Sequence, residues 1–329
     1  MASQLRTVGS SEPHSRAAET APEISIVIPV YNEAASIPAL HQRLKDTLGQ
    51  MGRTYEVWFV DDGSRDSSAA LLSEIAAGDE HVGLISLARN FGQHAAVLAG
   101  FAAARGSIIV SLDADLQNPP EEIPRLVAKL EEGYDVVGGR RENRQDPLYR
   151  RFPSRLVNWL TSFTVGVKMQ DYGCMLRAYR RDIVRQLVEC DERSSFIPAL
   201  ANTLARDTTE IEVGHDDRAF GASKYGLLKL MRLSFDLLTG FSLLPIQIVS
   251  LSGILVALAG IGFGGFLFIR RLIVGPEVEG VFTLFAILFV FIGILILAVG
   301  LVGEYVGRIY LEVRRRPTYR VQAIRQPRV

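Results

Sequence analysis

Gly106-Ser-Ile-Ile-Val-Ser-Leu-Asp-Ala-Asp-Leu-Gln117 is a short apolar run that stops at two carboxylates. Ile108, Ile109, Val110 and Leu112 form the continuous apolar stretch expected of a parallel strand covered on both faces. Side chains alternate across a strand, so Asp113 and Asp115 are directed to the same side. Two like charges aimed at one spot repel each other, and a cation between them removes the cost. Mg²⁺ or Mn²⁺ suits the position, because such ions take one or two protein carboxylates plus substrate phosphates. An isolated Asp-x-Asp is more often a solvated loop, so its meaning rests on its surroundings.

Those surroundings alternate between strand and helix signals. Apolar strand-like runs occupy 24–30, 56–60, 82–87, 107–112 and 135–137, with helix-length stretches at 34–50, 66–77, 93–104 and 120–132. This pattern predicts βαβ units: an α/β fold with a mostly parallel sheet and helices on both faces. Pro119-Pro120 followed by Glu121 and Glu122 marks a helix start, with acids in its positive first turn. Ligands of such sheets bind beyond the carboxyl ends of the strands. Acidic groups recur there: Ile28-Pro-Val-Tyr-Asn-Glu33 closes the first strand and Phe59-Val-Asp-Asp-Gly-Ser64 the second. Each has a local alternative, since Asp62-Gly63 is a turn signal and Asn32 suits a helix cap. Together with Asp113 and Asp115 they outline a pocket for base and ribose hydroxyls at Asp62 and a metal-bound diphosphate at the pair. The first strand is not followed by G-x-G-x-x-G, and no G-x-x-x-x-G-K-[ST] occurs, which argues against a dinucleotide fold or a P-loop.

Lys and Arg total 36 and Asp and Glu total 36, so the balance gives no support to a nucleic-acid partner. The apolar residues, 48% of 329, are unevenly spread. Neither 237–269 nor 280–303 holds a charge, and about 20 apolar residues cross a bilayer. Two transmembrane helices are therefore expected, at about 245–269 and 281–303. Arg308, Arg314, Arg315, Arg316 and Arg320 follow the second, whereas the connector balances Arg270 and Arg271 with Glu277 and Glu279. The positive-inside rule then gives a hairpin with both ends cytoplasmic. A basic amphipathic stretch at 147–167 suits either a membrane surface or its own domain, and a second at 227–238, adjoining the first span, is expected at the interface. Residues 1–22 are polar and read as a disordered tail rather than a signal peptide. Cys174 and Cys190 suggest neither a disulfide framework nor a zinc site. The expected organisation is a tail (1–22), a cytosolic catalytic domain (23–223), an interfacial helix (224–240), the hairpin (241–305) and a basic cytosolic tail (306–329).

The strings Val27-Ile-Pro-Val-Tyr-Asn-Glu33, Val60-Asp-Asp-Gly-Ser64 and Leu112-Asp-Ala-Asp-Leu-Gln-Asn-Pro-Pro-Glu121 resemble family 2 glycosyltransferases of the GT-A fold. Within that family the chain is similar to polyprenyl-phosphate glycosyltransferases, among them dolichol-phosphate mannose synthase and the bactoprenol glucosyltransferases. Asn90-Phe-Gly-Gln-His-Ala, Asn143-Arg-Gln-Asp146, Asp171-Tyr-Gly-Cys-Met-Leu-Arg-Ala-Tyr-Arg-Arg181, Phe220-Gly-Ala-Ser-Lys-Tyr225 and Gly303-Glu-Tyr-Val-Gly-Arg-Ile-Tyr310 resemble one branch more closely. That branch moves 4-deoxy-4-formamido-L-arabinose onto undecaprenyl phosphate in lipid A modification. The likeness runs from Ile24 to Arg320.

The resemblance implies inverting transfer from a UDP-sugar to undecaprenyl phosphate, at the cytoplasmic face of a bacterial inner membrane. It assigns Pro29, Tyr31, Glu33 and Asp62 to the nucleoside, and Asp113, Asp115 and Gln117 to a Mg²⁺ or Mn²⁺ that bridges the diphosphate. A phosphate monoester with a second pKa of about 6 is largely ionised at neutral pH and needs little general-base help. It needs cations instead, and the candidates are Arg140, Arg144, Arg155, Arg177, Arg218 and Lys224. Arg218 and Lys224 bracket the loop leading toward the membrane helices. Asp171 is implied to face the acceptor, as a positioning group or base. His94 reads as a donor-site ligand or a core contact, and Glu304 as a headgroup or helix contact. A processive polysaccharide synthase would carry Q-x-x-R-W and more spans, and a catalytically dead scaffold need not keep Asp62, Asp113 and Asp115. A bactoprenol glucosyltransferase or another sugar donor remains open, as does homo-oligomerisation.

Overall fold

Strand β1 (Ile24–Val30) is apolar at nearly every position because both its faces are covered. In the computed structural model, which describes residues 21–141, 174–190, 196–214, 244–275, 281–314 and 317–329, it pairs parallel with β2 (Tyr55–Asp61) and with β4 (Ile108–Ser111). On one face Ile24, Ile26 and Ile28 pack with Leu40 and Leu44 of α1 (Ile37–Gln50) and Leu72 of α2 (Ser68–Gly78). On the other, Val27 joins Trp58, Val60 and Val97 of α3 (Gln93–Ala103). Gly100 permits the closest helix–sheet approach, since a Cβ there would lie 2.3 Å from Val27 Cγ1. Glycine inside a helix costs about 1 kcal/mol relative to alanine, and here that cost is offset by contact with β1.

Strand β3 (Val82–Leu87) pairs parallel with β2, after which α3 carries the chain back across β1 to β4. The topological switch therefore lies between β1 and β4, where a crevice forms beyond the strand ends. A 3₁₀ turn (Pro120–Glu122), begun by the prolines seen in the sequence, leads into α4 (Ile123–Glu131). Beyond it, β5 (Val136–Arg141) pairs antiparallel with β6 (Arg177–Arg180), which is inserted antiparallel beside β4. After α5 (Arg181–Glu189) and α6 (Ile197–Leu204), β7 (Thr208–Val213) pairs parallel with β5. The expected α/β sheet with helices on both faces is observed.

The long helices are α7 (Leu244–Val274) and α8 (Val281–Val313). Ile246–Ile273 of α7 is long and apolar enough to cross a membrane, and α8 contains a shorter apolar stretch, Phe291–Gly307. The segment expected to be a basic tail is instead structured. Helix α8 runs on to Val313, and Val321–Arg325 form β8, antiparallel to β3 at the sheet edge. Pro327 beyond it is buried, Arg328 N donates to Glu80 O at 2.7 Å, and Arg105 Nη2 donates to Val329 O at 2.9 Å. Five residues rich in neither charge nor alternation gave no strand signal, because their pairing partner lies far away in sequence. The amphipathic stretches at 147–167 and 227–238 lie outside the described residues.

Candidate functional site

The loops after β1 and β2 are stapled together. Asp62 N donates to Val30 O at 2.8 Å, Asn32 N to Ser64 Oγ at 3.1 Å and Glu33 N to Ser68 Oγ at 3.0 Å. Asn32 Oδ1 accepts from Arg65 N at 2.8 Å, with Asn32 at φ 55, a left-handed conformation that asparagine tolerates. Tyr31 and Glu33 thus lie on a loop whose shape is set by the second strand's turn, and Pro29 sits just before it, near the end of β1.

Asp62 is 2% exposed, and its two oxygens accept from Phe91 N at 2.7 Å and Gly92 N at 2.8 Å. Burial pushes its carboxyl up, and the two backbone amides act against that rise. Gly63, at φ 67, is required here: a Cβ would stand 2.5 Å from the Arg89 carbonyl carbon. The loop from Arg89 to Gly92 is held against the second strand's turn and delivers Gln93 to the start of α3. The Gln93 side-chain amide then donates to Asp113 Oδ1 at 2.6 Å. A continuous path joins the acid at the end of β2 to the acid after β4.

Asp115 Oδ1 accepts from Gln117 N at 3.1 Å, and Leu116 between them adopts φ 62. This tight turn keeps both carboxylates beside the switch point. Among the described residues no cluster of three or more His, Cys, Asp or Glu could hold a metal. Asp113 and Asp115 fit an ion completed by substrate phosphates, as Mg²⁺ and Mn²⁺ are. Beyond the ends of β2 and β3 opens a cleft of about 540 Å³, lined by Asp61, Ser64, Arg65, Arg89, Asn90 and Gln322 among others. The Arg89 guanidinium lies 4.9 Å from the Phe91 ring centroid.

The profile of glycosyl transferase family 2 matches residues 25–188. The chain is 56% identical over 304 residues to the undecaprenyl-phosphate 4-deoxy-4-formamido-L-arabinose transferase of Shewanella sediminis, covering 92% of each chain. The chain belongs to glycosyl transferase family 2. The enzyme of the same name from Klebsiella pneumoniae is 52% identical over 309 residues, 93% of this chain and 94% of that one. Among solved structures, glucosyl-3-phosphoglycerate synthase of Mycobacterium tuberculosis with Mn²⁺, UDP and glucosyl-3-phosphoglycerate has a TM-score of 0.47 at 18% identity, over 66% of this chain and 78% of that one.

In this glycosyltransferase the structure brings Glu33, Asp62, Asp113, Asp115 and Gln117 to the carboxyl edge of one sheet. Arg140 stands near the carboxyl end of β5, which runs parallel to β4 through β6, so it lies at the same edge two strands away, in an ion pair with Glu212 of β7. Arg177, expected to face phosphate, is fully buried: β6 turns it into the domain and its Nε donates to Cys174 O at 2.9 Å. That hydrogen bond secures the turn before β6. Asp171, Arg144, Arg155, Arg218 and Lys224 lie outside the described residues. His94 has a buried Nδ1 with no partner among the described residues, and its ring meets Phe196 edge-on at 5.3 Å. Burial pushes this imidazole down to about 4, so it is neutral at physiological pH.

Sequence reasoning passed over Gln93, Arg89 and Gln322. The first two lie in or beside the Asn90-Phe-Gly-Gln-His-Ala string, and a polar side chain directly after a glycine at a helix start was the available signal. Nothing local marked Gln322.

Proposed function

We propose that this glycosyltransferase moves 4-deoxy-4-formamido-L-arabinose from its UDP conjugate to undecaprenyl phosphate at the cytoplasmic face of a bacterial inner membrane. The observation that carries the reading is the 56% identity over 304 residues to a transferase of that name. That likeness extends well past the region matched by the family profile, residues 25–188.

Tyr31, Glu33 and Asp62 stand where the nucleoside is taken, with Pro29 shaping their loop. Asp113 and Asp115, with Gln117 beside them, would hold Mg²⁺ or Mn²⁺. When bound, that ion stabilises the negative charge gathering on the departing diphosphate. Gln93 fixes the Asp113 carboxylate in one orientation by its 2.6 Å hydrogen bond.

A phosphate oxygen of the lipid attacks the anomeric carbon opposite the leaving group, so configuration inverts. The new C–O bond forms as the bond to UDP breaks, and charge balances without proton transfer: a phosphate dianion becomes a diester monoanion while UDP gains one charge. The chain must therefore supply cations and orientation more than a base. Arg218 and Lys224 are our candidates for the cations, and Asp171 for positioning the acceptor.

The sheet supports a membrane hairpin. Strand β8 follows α8 yet pairs with β3, so β8 returns to the sheet that precedes α7. If α7 crosses a bilayer, that pairing asks α8 to return.

Purified protein in detergent, given undecaprenyl phosphate, Mn²⁺ and separate UDP-sugars, tests the reading by the mass of the lipid product. The formamido-arabinose lipid is expected to form fastest. Preferential formation of a glucosyl lipid would favour the bactoprenol glucosyltransferase reading, and no lipid product from any donor would overturn the proposal.

A further inference from the structure

Strand β8 meets β3 with an irregular register. Arg325 lies opposite Leu84, Ile324 opposite Ile85, Ala323 opposite Ser86 and Val321 opposite Leu87, with the shift between Ser86 and Leu87. Gln322 is the extra residue of this bulge, left without a partner in the ladder. Bulges re-aim a side chain and recur at sheet edges beside active sites. Gln322 is exposed and lines the cleft with Asp61, Ser64 and Arg89.

The position of that cleft indicates its occupant. Strands β4 and β3 are three spacings apart through β1 and β2, about 14 Å. A diphosphate at Asp113 and Asp115 whose nucleoside extends along this edge toward Asp62, the acid proposed above for the nucleoside, would bring its base to the cleft. Arg65 and Arg89 offer only positive donors there. A carboxamide offers both a donor and an acceptor, which matches a pyrimidine edge carrying N–H beside carbonyl oxygens. Ala323 leaves space next to it.

We infer that Gln322, presented by the bulge of the C-terminal strand, is a donor-binding residue that reads the nucleobase of the nucleoside diphosphate. This rests on the donor site proposed above. It gives β8 a task beyond covering the edge of β3, and it makes a segment C-terminal to the membrane helices part of the donor pocket.

The test is calorimetric binding of UDP, CDP and GDP to full-length protein in detergent with Mn²⁺, comparing wild type, Gln322→Ala and Gln322→Glu. Loss of one or two hydrogen bonds is expected to raise the UDP Kd of Gln322→Ala about tenfold. Its preference for UDP over CDP should narrow, while the KM for undecaprenyl phosphate and the melting temperature stay unchanged. Equal UDP affinity and equal base preference in Gln322→Ala and wild type would overturn the inference alone. Should Gln322→Ala melt early, Gln322→Glu decides: changed base preference at unchanged melting temperature supports the inference, and unchanged preference overturns it. Wild-type protein that binds no nucleoside diphosphate would overturn the donor reading as well.

Discussion

The side-chain amide of Gln93 donates to Oδ1 of Asp113 at 2.6 Å, across 20 residues of chain and two sheet positions away from the acid that anchors its loop. Gln93 is the first residue of α3, and the two residues before it give their backbone N–H groups to Asp62. Asp62 thus fixes the loop that delivers Gln93 to Asp113.

Gln93→Ala should leave the fold intact, because the side chain is exposed and its loss opens no cavity. Outer-shell partners of ligating carboxylates typically contribute 10- to 100-fold in metal affinity or activity. We expect the Mn²⁺ concentration for half-maximal transfer to rise about tenfold, with the rate recovering at saturating metal. A metal titration of initial rates checks this. A lowered rate with an unchanged titration midpoint would show that Gln93 serves the loop and not the ligand.

Asp113→Asn and Asp115→Asn each remove a charge from a turn whose backbone bonds persist. Transfer is expected to fall by at least about 100-fold, the order seen when a charge-stabilising group is removed. Chelator should silence the wild type, and either Mn²⁺ or Mg²⁺ should restore it. Product formed at the wild-type rate in excess chelator would remove the metal from the mechanism.

The elements that were legible in the sequence are those whose signal is local. Strands β1 to β4 read as apolar runs because both faces of each are buried, α1 to α3 fill the gaps between them, and α4 follows β4. Asp62, Asp113 and Asp115 were visible because strand ends are where an α/β sheet places its ligands. Strand β8 was not, since Val321-Gln-Ala-Ile-Arg325 becomes a strand only through the free edge of β3. The burial of Arg177 was equally hidden. An arginine between two apolar positions carries no mark of whether its strand will be an edge or, like β6, lie between β4 and β5.

His94 gives the protein a pH-dependent stability of defined sign. Its folded pKa is about 4 because burial disfavours the imidazolium, whereas an unfolded histidine titrates at about 6.5. Above pH 6.5 both states are neutral and no linkage exists. As pH falls from 6.5 toward 4 the unfolded chain takes up a proton that the folded chain refuses, so stability declines, by roughly 3 kcal/mol in all. His94→Phe removes this proton uptake. Melting curves of the detergent-solubilised protein should therefore show a smaller loss of melting temperature between pH 7 and pH 5 in the variant than in wild type. Parallel losses would mean that His94 does not carry the effect.

The pairing of β8 with β3 makes the membrane arrangement testable with two cysteines. Cys174 is buried and Cys190 partly so, and both are first replaced, by Ala and Ser. Gln326→Cys, exposed just beyond β8, reports the side on which the sheet stands, and Val278→Cys reports the connector between α7 and α8. If α7 and α8 both cross, Val278→Cys in intact spheroplasts is labelled by a membrane-impermeant maleimide, while Gln326→Cys reacts only after the membrane is opened. The sheet forces the second half of that outcome once the catalytic domain is cytosolic, because β8 cannot pair with β3 across a bilayer. Protection of both sites until permeabilisation would mean that neither helix crosses. Labelling of Gln326→Cys alone would require β8 to leave the sheet, and would overturn both the hairpin and the place of Gln322 in the donor cleft.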